Sequence, residues 1–378
     1  MFLYERIFGI GTYMFVLIFI CLFLTKTNVS CKVITRFYLI CLCIMAFFYK
    51  PYVTADLYRI YEQMRYFAAL EFKQFWMTFA IDSSFPISRL LFWVFGKTGI
   101  NELLPTFSAF ACYSCLFYIV NKTKERYNIS RKSVAIVLFY IMTTSMYISV
   151  IGGIRMMLAL SIIAFSYYRA TIEKRITIID IVIYIVSIYI HAMSIVVIVV
   201  CVLVSLFDAS KKGLKKVGYI LVAGIVGAIF VTQSSSTLNK TYQKFLEFVL
   251  GDKHSDTWEY IMGVFIILIL FLMFVEFRRI CRAEDYRQIK KMNLVSILSV
   301  LIAVCFCFEF SIFYRFGTHV AVLFSIPSMM VSLEKTRGRA SVFLAKIDYR
   351  SIVILLSLIV AAISCTRGSL SSLKFFVI

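Results

Sequence analysis

The sequence predicts an all-α, polytopic membrane protein, with about 11 or 12 membrane helices forming one transmembrane domain over residues 1–378. Three observations predict it. Hydrophobic residues make up 61% of the chain and charged residues only 16%. Apolar runs of about 17 to 30 residues recur along its whole length, enough to cross a hydrocarbon core about 30 Å thick. Most of the 40 Lys and Arg residues gather in short links between those runs, where the positive-inside tendency places them in the cytoplasm.

Several function classes are excluded. The net charge of +20 is spread in small groups beside apolar runs, so membrane lipids are its partners and nucleic acid is not. The eleven cysteines lie in or beside apolar runs. Neither Cys112/Cys115 nor the pairs Cys41/Cys43 and Cys305/Cys307 have His, Asp or Glu at metal-ligand spacing, so no metal or other cofactor is implied. Residues 8–24 are followed by Thr25-Lys26-Thr27-Asn28 and not by a small-residue cleavage site, which makes them a first span. No P-loop, GxSxG, HExxH or DxD pattern occurs, so any chemistry runs on an already activated substrate.

The elements follow in order. Residues 7–24 and 33–48 are the first two spans. Residues 49–102 form a first outer connection, polar and aromatic at its start, with a short apolar helix at 86–95 in its later part that lies in the interface or re-enters it. Spans at 103–120, 134–151 and 156–168 come next, the last two divided by Gly152-Gly153-Ile154-Arg155. The run 178–207 has basic links on both flanks, yet as one straight helix it rises about 45 Å and leaves on the far side. A helical hairpin resolves that conflict, with its turn at Ile190-His191-Ala192-Met193-Ser194 in the outer half of the bilayer, although the turn lacks Gly or Pro. A span at 217–231, a second outer connection at 232–258 and spans at 260–275, 294–313, 317–333 and 351–364 complete the chain. Tyr314-Arg315-Phe316 is read as the link between 294–313 and 317–333.

This topology puts Arg155, Arg315 and Arg89 at similar depth on the outer side. Guanidinium groups in a poorly hydrated site suit forked contacts with phosphate oxygens, and a pyrophosphate would satisfy two or three of them; snorkelling to headgroups is the plainer reading. His191 is one of three histidines and falls in the most apolar run. A neutral imidazole there suits a base for a sugar hydroxyl or a pyrophosphate ligand, against the plainer reading of a satisfied interhelical histidine. His319, one turn past Arg315, is a supporting candidate, while His254 sits in a polar loop. Asp56, Lys50, Tyr58, Arg59 and Tyr61 offer the carboxylate and rings that a sugar requires, or else an interfacial aromatic belt. Glu309 either pairs with an arginine or shapes the cavity.

Asp56-Leu57-Tyr58-Arg59-Ile60-Tyr61, Ile154-Arg155-Met156-Met157-Leu158-Ala159-Leu160, Ile190-His191-Ala192-Met193-Ser194 and Tyr314-Arg315 with Pro327, in this order, resemble the EpsG/Wzy-like family of polysaccharide repeat-unit polymerases. The resemblance implies a metal-independent glycosyltransferase of the GT-C type in a bacterial cytoplasmic membrane. Its substrates would be undecaprenyl-pyrophosphate-linked oligosaccharides, joined at the outer face into capsule, O-antigen or exopolysaccharide, with a chain-length regulator and a flippase as partners. Two rivals belong to other classes. A flippase for lipid-linked oligosaccharides favours paired repeats, and none is visible. A membrane O-acyltransferase also uses a buried histidine.

Overall fold

The computed structural model describes residues 2–53, 55–81, 83–144, 146–207, 257–280, 286–307, 310–336, 348–366 and 373. The regular elements among them are all helical. Among the described residues, six helices are long and apolar enough to cross a membrane, or seven if one broken pair counts as a span, which makes this a multi-pass membrane protein. The expected span at 217–231, most of the second outer connection, His254 and Glu309 lie outside the described residues.

Helices α1 (Phe2–Lys26), α2 (Cys31–Phe47) and α6 (Leu103–Tyr127) form one flank of the bundle. Between α2 and α6 the chain builds a separate layer from α3 (Asp56–Ala68), α4 (Phe72–Phe75, continuing through a π-turn at Trp76–Ala80) and α5 (Pro86–Lys97). Pro86 stands at the start of α5, where its missing N–H would have had no helical partner anyway. At 12 residues α5 is too short to cross a bilayer, as its apolar pattern predicts, and it packs on α3 and α10. Contact with α3 is close at Gly96, where an added Cβ would stand 2.5 Å from the Met64 carbonyl oxygen.

Helix α7 (Arg131–Thr143) breaks and resumes as α8 (Met146–Gly152). A break inside hydrocarbon leaves carbonyls that only protein groups can answer. The Tyr13 hydroxyl donates to Met142 O at 2.7 Å and Ser364 Oγ donates to Thr143 O at 3.1 Å.

The centre of the fold is α9 (Ile154–Thr171) with α10 (Ile178–Ile190) and α11 (Met193–Phe207) against it. Ser166 Oγ donates to Asp180 Oδ1 at 2.8 Å, and the hydroxyls of Tyr167 and Ser205 lie 3.3 Å apart. Adjacent residues of α9 thus hold the first turn of α10 and the last turns of α11. Had 178–207 been one helix, those two positions would be separated by about 37 Å. The run is therefore a hairpin, as the flanking basic links require.

Both ends of its first arm are fixed by side chains. At the foot, buried Asp180 accepts from the Thr177 N–H at 2.8 Å, Thr177 Oγ1 at 2.7 Å and Arg169 at 3.1 Å. At the tip, His191 is extended (φ −155°, ψ 133°) and its Nδ1 accepts from the Met193 N–H at 3.2 Å. The imidazole thereby plays the part of an N-cap for α11, which is why the turn needs neither Gly nor Pro.

The remaining helices are α12 (Thr257–Ile280), α13 (Arg287–Cys305), α14 (Phe310–Tyr314, running through a π-turn at Arg315–Val320 into α15, Ala321–Lys335) and α16 (Tyr349–Thr366). This corrects one expectation: Tyr314-Arg315-Phe316 is not a link between spans but lies within a continuous helix, and the connection falls earlier, after Cys305. Gly317 does not break the helix. An added Cβ there would stand 3.3 Å from Ala303 Cβ and from Ile267 Cδ1, so glycine permits close packing at that point.

The basic links meet at one end of the bundle. Glu334 Oε2 accepts from the Ser130 N–H at 2.9 Å, Ser130 Oγ at 2.5 Å and Ser133 Oγ at 2.8 Å, and faces Arg350 at 3.6 Å. Arg131 donates to the carbonyls of Thr27 and Asn28, and Arg126 donates to Ile172 O at 2.6 Å. Lys32 pairs with Glu125 at 2.6 Å. The α3–α5 layer and the hairpin tip occupy the opposite end.

Candidate functional site

Antiparallel geometry sets the depth of the two strongest candidates. Arg155 precedes Ser166 on α9 by as many residues as His191 follows Asp180 on α10. Since the bond between Ser166 and Asp180 joins the two helices, Arg155 and His191 come to one level about 16 Å away from it. The first turn of α9 and the hairpin tip thus face the same space from two sides, and α5 covers it.

A cavity of ≈ 180 Å³ opens there, lined by Asp56, Arg59, Ile60 and Gln63 of α3, Phe85 and α5 residues Ser88, Arg89 and Phe92, and Arg155 of α9. The α3 contributors recur at the three- and four-residue steps of one helical face. Asp56 and Arg59 pair at 2.9 Å and are both exposed. Among the described residues, neither the Arg89 nor the Arg155 guanidinium donates a hydrogen bond or forms an ion pair. Each lies over an aromatic ring instead, Arg89 at 6.0 Å from the Phe67 centroid and Arg155 at 5.9 Å from that of Phe85. Burial pulls the Arg89 guanidinium below its usual value, yet arginine stays charged at any physiological pH.

His191 stacks on the same Phe85 ring, centroids 6.2 Å apart and planes 17° apart. The charges of Arg315 and Arg155 both act on it, and those of Asp56 and Arg89 both act on Arg155. The Phe85 ring thus joins His191 to Arg155, and Arg155 shares the cavity lining with Asp56 and Arg89, so four of the residues singled out from sequence come together. Because Nδ1 accepts a backbone N–H, neutral His191 carries its proton on Nε2, which makes that atom a donor toward any ligand.

Other sequence candidates lie elsewhere. Lys50 is held by Glu102 at 3.2 Å, away from the cavity lining. Tyr61 is buried near Tyr49 and Glu102, and Tyr58 is half-buried outside the lining. Helical geometry accounts for both: neither tyrosine is on the face that carries Asp56, Ile60 and Gln63. His319 is buried in the π-turn, its Nδ1 2.6 Å from Thr318 Oγ1 and its ring 4.9 Å from that of Tyr314. Within the described residues its Nε2 has no hydrogen-bond partner.

Gln63, Phe85, Ser88 and Phe92 were not among the sequence candidates. Gln63 was discoverable from the helical step that begins at Asp56. Phe85 had no such signal, since its importance comes from contacts with α9 and the hairpin, both far away in sequence.

No family model, no curated protein and no solved structure matches this chain. What the fold defines is the class: an all-α, multi-pass membrane protein with a charged cavity at the end opposite its basic links.

Proposed function

We propose that this protein is a polysaccharide repeat-unit polymerase of a bacterial cytoplasmic membrane, a metal-independent glycosyltransferase that moves a glycan from undecaprenyl pyrophosphate onto a lipid-linked repeat unit at the outer face. The observation that carries the reading is that Arg155 and Arg89 line one cavity beside His191, with both guanidiniums held over rings and not over carboxylates. Uncommitted guanidiniums in a partly dry site are suited to a diphosphate. The positive-inside tendency supports the orientation, because the basic links share the other end.

In this reading Arg155, Arg89, Arg315 and the His191 Nε2–H hold the donor diphosphate and neutralise it as it leaves. Asp56, on the cavity rim, accepts the proton of the acceptor hydroxyl. That oxygen bonds to the anomeric carbon while the bond from carbon to the diphosphate oxygen breaks, its electron pair leaving with the diphosphate. Arg59 and Gln63 extend the same rim toward the acceptor sugar.

The test is complementation of a deletion strain. Arg155→Ala at normal protein abundance should leave single repeat units on the lipid and no long polymer. Normal chain length would overturn the reading. Full-length polymer lacking only acyl groups would instead assign an O-acyltransferase, and loss of repeat units from the outer face would assign a flippase.

A further inference from the structure

Resting on that reading, we propose that Phe85 is a positioning residue that holds Arg155 and His191 at a fixed separation while leaving the arginine's charge available, and that it is the structural link between the interfacial layer and the membrane-embedded part of the site. Its backbone is secured on both sides. The Phe85 N–H donates to Ser83 Oγ at 3.1 Å, and its carbonyl accepts from Ser88 Oγ at 2.9 Å and from the Arg89 N–H at 3.2 Å. The ring then reaches two helices at once, lying 5.9 Å from the Arg155 guanidinium carbon and 6.2 Å from the His191 centroid.

The choice of an aromatic partner has a chemical consequence. A carboxylate at this place would fix Arg155 equally well but would cancel its charge and occupy its N–H groups. A ring face attracts the cation through its quadrupole and leaves every N–H free for an incoming anion. Phe67 stands in the same relation to Arg89. By contrast, buried Asp180 takes up Arg169 directly, at the foot of the hairpin and away from this cavity. Phe85 touches no substrate atom in this scheme; it sets where the two donors stand before a ligand arrives.

The experiment uses the full chain in alkyl maltoside micelles, which contribute no phosphate, with inorganic pyrophosphate as the probe. Phe85→Leu should weaken pyrophosphate binding by about three- to tenfold, from the loss of one ring contact and of preorganisation, and Phe85→Tyr should restore it. With ¹⁵N-labelled histidine, the protein gives ring signals from only three residues. The His191 signals, assigned by their absence in His191→Gln, should shift in Phe85→Leu and return in Phe85→Tyr. In polymerisation assays the Leu variant should raise KM for the lipid-linked donor more than it lowers kcat. Unchanged His191 signals and unchanged binding in a folded Phe85→Leu protein would overturn the role of Phe85. Should the wild-type protein fail to bind pyrophosphate while its His191 signals still respond to Phe85→Leu, the positioning role stands and the diphosphate reading falls. If Phe85→Leu does not fold, Phe85→Trp and Phe85→Met decide the matter, since only the tryptophan should preserve binding and the His191 signals.

Discussion

The two ends of the bundle treat charge in opposite ways. At the basic end, Glu334 gathers three hydrogen bonds and faces Arg350, while Arg126 and Arg131 are taken up by carbonyls of neighbouring helix ends. At the cavity end, Arg155 and Arg89 rest against rings, and their guanidiniums have no hydrogen-bond or ion-pair partner among the described residues. Satisfied charges of the first kind join helices; charges left available beside a cavity are what a ligand site requires. Arginine therefore joins helices at one end and stands open beside a cavity at the other.

That contrast breaks most severely at Glu334. Glu334→Ala leaves two hydroxyls and an N–H without their acceptor and removes the carboxylate facing Arg350, and should destabilise the protein by about 2 to 4 kcal/mol. Lower abundance and an earlier thermal transition would register it; a folded variant with wild-type stability would dissolve the distinction. Next in size is Arg155→Ala, which should change melting by less than about 0.5 kcal/mol because no ion pair is lost, yet should abolish long polymer. A matching collapse of stability would put Arg155 with the architectural arginines.

His191 allows a finer division, because its two ring nitrogens have different tasks. Asn places an oxygen where Nδ1 stands and should keep the cap of α11 while losing the donor, giving a stable and inactive protein. Gln places an N–H near the Nε2 position and should lose the cap, at about 1 kcal/mol, while retaining part of the activity. Loss of activity in both variants would make His191 a base, since neither amide can take up a proton. The smallest effect belongs to Lys50→Ala. Its pair with Glu102 is half-exposed, so chain length should stay normal and stability should change by no more than about 1 kcal/mol.

Much of this was legible in sequence where one physical rule dominated. Hydrocarbon thickness marked the spans, and it also excluded α5 from being one. Basic links on both flanks required the hairpin around His191 even though no turn residue announced it. The π-turn at Arg315–Val320 was not legible, because a helix that widens keeps the same apolar composition as one that does not. The partner of Lys50 was hidden for another reason: Glu102 lies at the far end of the α3–α5 layer, and only folding of that layer brings the two together. Phe85 belongs with them. An aromatic residue before a proline suggests a helix start, and nothing in that local pattern points to an arginine and a histidine on other helices.

Gly96 bears on the whole of this site although it touches none of its charges. It is where α5 lies flush against the Met64 carbonyl, and α5 carries Ser88 and Arg89 on the wall facing Asp56 and Gln63. The aperture of the cavity is thus gauged by an absent methyl group. Alanine at that position would act as a wedge, driving the two walls apart two turns below the mouth and widening the gate without altering a single group that lines it.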